Sequence, residues 1–229
     1  APPYDTANFG FTNRVLGYQI LPSFDLGPER SDGVEAGLRG RFADGSSFQL
    51  VGFYNRYTDF IATRVAGTAA GLTQFRYVNL SDVTIYGFEA RGEWRFAAEW
   101  AARASAAYAR GEDQDTGRPI DGVDPLRFVG GIAWRGPSGW GAEANLTLAR
   151  RNTRTSEAAY FKAPGYAVLD LAAYYDLRPN LTVNVGLFNV TDEKYFVAQD
   201  VIGLNRASPV RDLYAQPGRY AAANLTLRW

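Results

Sequence analysis

From Gly218 to Trp229 the side chains alternate, with Ala221, Ala223, Leu225, Leu227 and Trp229 on one face and Asn224, Thr226 and Arg228 on the other. A period of two is the signature of a strand whose two sides meet different surroundings. Read for the same alternation, the chain predicts about nine strands, near 33–43, 47–62, 77–97, 99–111, 125–135, 139–151, 165–177, 180–190 and 217–229. Most reach the roughly 9 to 11 residues that a tilted strand needs to cross a bilayer. In the first, Val34, Ala36, Leu38 and Phe42 oppose Glu35, Arg39 and Arg41; in the third, Phe88, Ala90, Trp94 and Phe96 oppose Glu89, Arg91, Glu93 and Arg95. The fourth sets Trp100, Ala102, Ala104, Ala106 and Tyr108 against Arg103 and Ser105, and the eighth sets Leu181, Val183, Val185 and Leu187 against Thr182 and Asn184. Period alone leaves the wet face open: a soluble barrel fills its interior with the apolar row, whereas a membrane barrel turns that row to lipid and the charges to a watery lumen.

The connections decide between these. Short ones are predicted at Ala43 to Ser46, Ala97 to Ala98, Gly136 to Gly139 and Arg178 to Asn180, where Gly, Pro, Asn and Asp supply turn geometry. Long ones are predicted at Arg64 to Arg76, Glu112 to Asp124, Asn152 to Pro164 and Thr191 to Pro217. Short periplasmic turns and long extracellular loops are the layout of outer-membrane barrels. A strand ending on an aromatic, as here on Trp229, resembles the C-terminal insertion signal of those barrels. The predicted fold is therefore all-β, an antiparallel transmembrane β-barrel portion in the bacterial outer membrane, with Trp229 on the periplasmic side. Counting back through nine strands puts residues 1–32 outside the cell, so an odd number of strands is expected upstream. No stretch reads as a signal peptide, which agrees with an upstream part.

Composition narrows the chemistry. At 46% hydrophobic the chain still has no run of 18 apolar residues, so membrane residence must come from strands. Lys+Arg 24 balance Asp+Glu 24 and are interleaved, which argues against a nucleic-acid partner and leaves membrane lipid as the expected one. Without a cysteine there is no thiolate site. Without a histidine a Ser-His-Asp hydrolase cannot be written, and no enzymatic activity is expected. The 14% of aromatic residues suits girdles at the two membrane interfaces.

Candidate sites lie at the predicted loops. Tyr4, Phe9, Phe11, Tyr18 and Phe24 cluster in residues 1–32 and are the ligand-binding candidates, able to sandwich a flat apolar molecule or else to pack the segment on itself. Glu112, Asp113, Asp115, Asp121 and Asp124 form an acidic loop that could gather Ca²⁺ through oxygen ligands, but the spacing is not that of an EF-hand and a solvated loop is the plainer reading, so no metal site is expected. Asn145, Asn180, Asn189 and Asn224 each begin an Asn-x-Thr run and are read as lumen-facing strand positions. Glu35, Arg39, Arg41, Glu89, Arg91 and Glu93 are expected to pair across strands or to hydrate a pore.

A family resemblance rests on particular runs. Ala1-Pro2 resembles the tail of an FRAP motif, and Ile20-Leu21-Pro22-Ser23-Phe24-Asp25-Leu26-Gly27-Pro28-Glu29-Arg30-Ser31 is similar to the NPDL-x-PE-x-S box of TonB-dependent haem and haemoglobin receptors. Gly186-Leu187-Phe188-Asn189-Val190-Thr191-Asp192-Glu193-Lys194-Tyr195 and Gln216-Pro217-Gly218-Arg219 resemble segments of TonB-dependent receptors in general. The resemblance implies nine strands of a 22-stranded barrel, with 1–32 an extracellular segment and 33–229 the C-terminal strands. It also implies import of haem or a ferric chelate as the transported ligand. The implied partners are a plug and upstream strands, the TonB complex and a haem-carrier protein. Where that branch carries a ligand histidine, Pro3 to Ser23 has none, and Tyr4 and Tyr18 are the residues able to replace it as tyrosinates. A self-contained or oligomer-completed pore or surface-binding barrel is the alternative from the strand pattern alone.

Overall fold

The computed structural model describes Pro2 and residues 4–229; Ala1, where the FRAP-like tail begins, lies outside the described residues. A short helical turn, α1 (Tyr4–Asn8), and a small hairpin, β1 (Phe11–Asn13) with β2 (Tyr18–Ile20), come first. Nine longer strands follow: β3 (Arg30–Arg41), β4 (Ser47–Ala69), β5 (Leu72–Ala97), β6 (Trp100–Asp113), β7 (Arg127–Arg135), β8 (Trp140–Ala149), β9 (Tyr166–Arg178), β10 (Leu181–Phe188) and β11 (Tyr220–Leu227). Each of β3 to β11 pairs antiparallel with its neighbour in sequence, and the sheet is not closed: β3 and β11 each keep a free edge among the described residues.

Register aligns the apolar rows into one surface. Leu38 faces Leu50, Leu50 faces Ala90, Ala90 faces Ala106 and Ala106 faces Phe128; at the other side Leu146 faces Leu169, Leu171 faces Leu187 and Val185 faces Ala223. Large apolar side chains on this surface stand bare, with Val34 66%, Leu38 69%, Trp94 63% and Leu225 64% exposed. Water would not tolerate an apolar face that spans nine strands. The opposite face is polar and encloses a cavity of about 840 Å³ lined by Arg39, Arg41, Gln49, Arg91, Glu93 and Arg103, so the charges line the hollow side and the apolar rows meet lipid. Glu93 accepts hydrogen bonds from Arg95 (2.9 Å) and Arg103 (3.2 Å), and Arg91 donates to Gln49. The Arg103–Glu93 and Arg91–Gln49 pairs cross between strands, while Arg95–Glu93 runs along β5, and together they fill part of the role expected for the lumen charges.

Aromatic rows bound the apolar band. At the short-turn end Phe96 lies 5.2 Å from Trp94 and 6.4 Å from Trp100, Trp100 lies 6.4 Å from Trp134, and Trp140 stacks on Tyr175 at 4.3 Å. At the other end Tyr54 stacks on Tyr86 at 6.5 Å and Phe88 lies 6.0 Å from Tyr108. Tyr86 and Trp94 on one strand are separated by roughly 26 Å of extended chain, close to the height of a membrane barrel's apolar band.

Two expectations are corrected. The connection at Arg64 to Arg76 is not a loop: β4 and β5 continue as a ladder to Ala69 and Leu72, with a bulge between Val65 and Gly67 and a two-residue turn. Ala70 (φ 50°) and Gly71 (φ 76°) both lie in the left-handed region, the geometry whose twist matches a hairpin. Of the four Asn-x-Thr runs, Asn145 and Asn224 do sit on the polar face, but Asn180 and Asn189 are turn residues; Asn189, 2% exposed, has φ 48°, an angle that no regular strand position takes.

The three remaining long connections, 114–126, 150–165 and 189–219, fold together at one end. Ala163, Phe196, Val201 and Leu204 form a small core with Phe161, Tyr214 and Ala215 packed on it. Backbone bonds from Phe161 N to Leu204 O (2.7 Å) and Arg206 N to Ala159 O (2.9 Å) join two of the loops. The 189–219 loop thereby extends across the hollow side and reaches β4 and β5, where Gly203 sits against Phe75 and Val65.

Candidate functional site

Beneath this roof a second cavity, of about 480 Å³, opens between β2, the extended β4–β5 hairpin and the 198–216 part of the loop. Tyr18, Ile20, Phe75, Tyr77 and Tyr214 supply aromatic and apolar walls, and Thr63, Gln199, Asp200 and Gln216 supply polar atoms. Its volume and mixed lining are those of a small-molecule site. Phe75 and Tyr77 face it because they fall two apart on the polar side of β5. Tyr18 is brought there by parallel pairing of β2 with β5, in which Tyr18 lies opposite Thr73 and Leu21 N donates to Phe75 O at 2.8 Å. The rings of Tyr18 and Phe75 meet edge to face at 6.2 Å.

The roof side is tied by its own polar groups. The Tyr214 hydroxyl donates to the Leu16 carbonyl at 3.2 Å, and burial, with a smaller contribution from Tyr18, raises the Tyr214 pKa. Gln216 Nε2 donates to Asp200 Oδ2 at 2.7 Å. Asp200 is the single charged side chain among the described lining residues. Flat apolar matter can lie on the rings while amides and hydroxyls fix its edge.

The five aromatics predicted as ligand contacts are not brought to one place. Tyr18 lines the cavity, whereas Tyr4 pairs with Phe9 at 5.8 Å, Phe11 touches Tyr18 at 6.1 Å from outside the lining, and Phe24 is 73% exposed. Phe75, Tyr77 and Tyr214, absent from the sequence-based set, complete the walls. Tyr77 opens the predicted third strand, and the alternation reaches Phe75 once Ala70-Gly71 is the turn; Tyr214 arrives through a chain separation of 198 residues, which no local pattern carries.

The box around residues 20–31 is a clamp. Ser23, 5% exposed, accepts the Tyr77 N–H on its hydroxyl at 3.0 Å. Gly27 and Asn79 bond in both directions, at 2.8 and 3.2 Å, while Asn79 also donates to Asp59 O at 2.6 Å. Asp59 has φ 56°, and near this irregularity the Ile61 N–H donates to Glu29 Oε2 at 2.8 Å. Residues 21–29 thus hold the chain across the extended hairpin before β3 begins.

The acidic loop does not converge on a point. Asp113 accepts from the backbone of Asp115 (3.0 Å) and Thr116 (3.3 Å), Asp121 from Ser156 N (2.8 Å) and Arg64 (3.4 Å), and Asp124 from Gln199 (3.1 Å). Glu112 sits between Arg110 and Arg154. Each carboxylate faces away to its own donors, and among the described residues no acidic group is placed to hold a metal ion. Burial, followed by the nearby Asp200 charge, raises the Asp124 pKa against the opposing pull of Arg127.

Residues 1–190 match the family described as TonB dependent receptor-like, beta-barrel. The chain belongs to that family. A TonB-dependent receptor of the bacterial outer membrane is thereby the setting for every feature above. Transferrin-binding protein A of Neisseria meningitidis serogroup B is 24% identical over 254 residues, covering 92% of this chain and 28% of the relative. Hemoglobin-haptoglobin utilization protein B of Neisseria meningitidis is 26% identical over 210 residues, covering 75% of this chain and 26% of the relative. Among solved structures, the copper transporter OprC superposes with a TM-score of 0.78 at 20% identity, over 91% of this chain and 33% of its own. A ferric enterobactin receptor mutant from Pseudomonas aeruginosa gives 0.68 at 20% identity, over 92% and 32%. The chain thus spans between a quarter and a third of the length of these relatives, and the structural matches speak for the barrel fold.

Proposed function

We propose that this chain supplies strands and outer loops to a TonB-dependent receptor that imports haem or an iron chelate, and that it acts by binding and passage without catalysing a reaction. The observation that carries this reading is the open cavity of about 480 Å³ walled by Tyr18, Phe75, Tyr77 and Tyr214, set at the long-loop end of a polar, hollow face. A ligand with a flat apolar body gains by leaving water there, and the charged corridor beneath, with Arg39, Arg91 and Arg103, keeps the onward path wet. In this reading residues 1–32 are an extracellular segment and 33–229 are transmembrane strands. The receptor's plug, its further strands and the TonB complex are the partners, and Tyr4, Phe9, Phe11 and Phe24 are outer contacts. The names of the sequence relatives, which refer to transferrin and to haemoglobin–haptoglobin, support a protein iron carrier as the source of the ligand.

The test is growth of iron-starved cells that carry the complete receptor containing this chain as their sole outer-membrane iron receptor. Growth on haem or on a ferric siderophore that stops when TonB is deleted is the expected result. Growth on neither, or growth indifferent to TonB, would overturn the reading.

A further inference from the structure

The aromatic row at the long-loop end has a charged row directly above it on the same, outward face. On β6 the alternation runs Tyr108, Arg110, Glu112, and on the following strands Leu148 is succeeded by Arg150. Tyr86 lies opposite Arg110 and Thr84 opposite Glu112, so the register carries the outward face upward from the apolar band into this rim. An open cavity of about 210 Å³ lies here, lined by Tyr108, Arg110, Leu126, Arg150 and Arg154 among others.

Charge is unbalanced at this place. Arg110 and Arg154 share one carboxylate, Glu112, at 3.2 and 3.1 Å. With Arg150, Arg151 and Asp124, which also line the cavity, four guanidiniums meet two carboxylates. Asp124 is already bonded on the roof side to Gln199. The Nε of Arg110 is buried and has no hydrogen-bond partner among the described residues, a cost that an acceptor entering the cavity would remove. Arg150 is exposed and forms no ion pair among the described residues. The strands involved, β6 to β8, stand three strands in from either open edge of the sheet.

We propose that Arg110, Arg150 and Arg154 form a binding site for the phosphorylated headgroup of a lipid in the outer leaflet. Guanidinium groups match phosphate oxygens in fork geometry and are the side chains most suited to a partly dehydrated phosphate. Tyr108, Leu126 and Leu148 lie just below, so the acyl chains of the same molecule would follow the apolar band, which a free anion would have no reason to do. The placement in the outer leaflet rests on the orientation proposed above, with the long loops outside.

The test uses the receptor containing this chain, purified in detergent and titrated with phosphatidic acid, phosphatidylcholine or inorganic phosphate, with bound lipid counted by native mass spectrometry. Phosphatidic acid should be retained in preference to phosphatidylcholine, and inorganic phosphate in large excess should not displace it. Arg110→Gln combined with Arg154→Gln should weaken retention roughly ten-fold. Arg150→Gln, at an exposed position where folding is not at stake, should weaken it roughly three-fold. Equal retention of the two lipids, or retention unchanged in both variants, would overturn the site; displacement by inorganic phosphate would overturn its lipid nature. Protease applied to intact cells reports orientation separately. Cleavage within 189–219 only after the outer membrane is opened would overturn the outer-leaflet placement whatever the titration gives.

Discussion

Asn189 and Glu193 bond to each other in both directions: Asn189 Nδ2 donates to Glu193 O at 2.8 Å, and Glu193 N donates to Asn189 Oδ1 at 2.9 Å. The same side chain donates to Pro217 O at 3.2 Å, and its backbone N–H reaches Asp170 Oδ1 at 2.8 Å. Asp192 completes the knot by accepting the Arg219 N–H at 2.7 Å. The run from Asn189 to Tyr195 and the Pro217-Gly218-Arg219 run are therefore two halves of one fastening that brings the end of β10 to the start of β11.

Asn189→Ala should loosen that fastening. It leaves the Glu193 and Pro217 carbonyls and the Glu193 N–H without their side-chain partner, and a β-carbon at positive φ without the local bonds that hold it there, at a cost of roughly 2 to 4 kcal/mol. Asn189→Gly, which removes the bonds but not the backbone freedom, should cost less. Heat-modifiable gel mobility of the receptor checks this; equal midpoints for alanine and the natural residue would show that the hub carries no stability.

Arginine on the lipid face should be costly and on the polar face cheap. Val185→Arg or Leu171→Arg places a charge in the band and should cost roughly 2 to 4 kcal/mol near the midplane. Asn184, which donates to Asn224 at 2.9 Å on the hollow side, should accept arginine at far lower cost. Assembly into the outer membrane is the measurement, and equal loss at Val185 and Asn184 would reverse the two faces.

Tyrosine substitutions should separate the cavity from the outer segment. Because Tyr18 lines the cavity and Tyr4 does not, Tyr18→Phe should weaken haem binding by the complete receptor several-fold and erase any tyrosinate-type haem spectrum, while Tyr4→Phe alone, which keeps the ring that makes the outer contact, should leave both unchanged. A haem spectrum that responds to Tyr4 only would move the site to the exposed segment.

The roof should loosen as pH rises. Burial raises the pKa of Asp124, so the folded state holds its proton more tightly than the unfolded chain does. Stability from this group is full below the ordinary carboxylate range near 4 and declines as pH passes up to and through the raised folded pKa. Asp124→Asn keeps an acceptor for Gln199 and should flatten the dependence. Cleavage rates within 189–219, normalised to a peptide substrate at each pH, provide the measurement; a rate that rises equally in the variant would assign the effect elsewhere.

The sequence carried the strands well because each repeats a local, period-two contrast between lipid and water. Leu181 to Leu187 could be assigned a face from four alternating residues. The same contrast vanishes where a strand rises above the membrane, which is why Val65, Gly67 and Phe75 looked like loop and are ladder. The cavity walls depend on pairings between segments far apart, such as Tyr18 with Phe75 and Tyr214 with Leu16, and aromatics gathered in one stretch, such as Tyr4, Phe9 and Phe24, proved to be neighbours in sequence more than in space. The acidic loop shows the same limit of proximity in sequence: Asp113 and Asp121 are close along the chain but serve turns and partners on different sides.

The bond from Tyr214 to Leu16 sets an order of events. It joins the last long loop to a segment 198 residues earlier, and its two ends are positioned by β10 and β11 on one side and by the β2–β5 pairing on the other. Contacts of such long range carry a large loop-closure cost and are slow to form. A receptor inserted only in part would carry its final loop unfastened at the cell surface. The roof thus doubles as a completion check, legible to proteases, on whether assembly has finished.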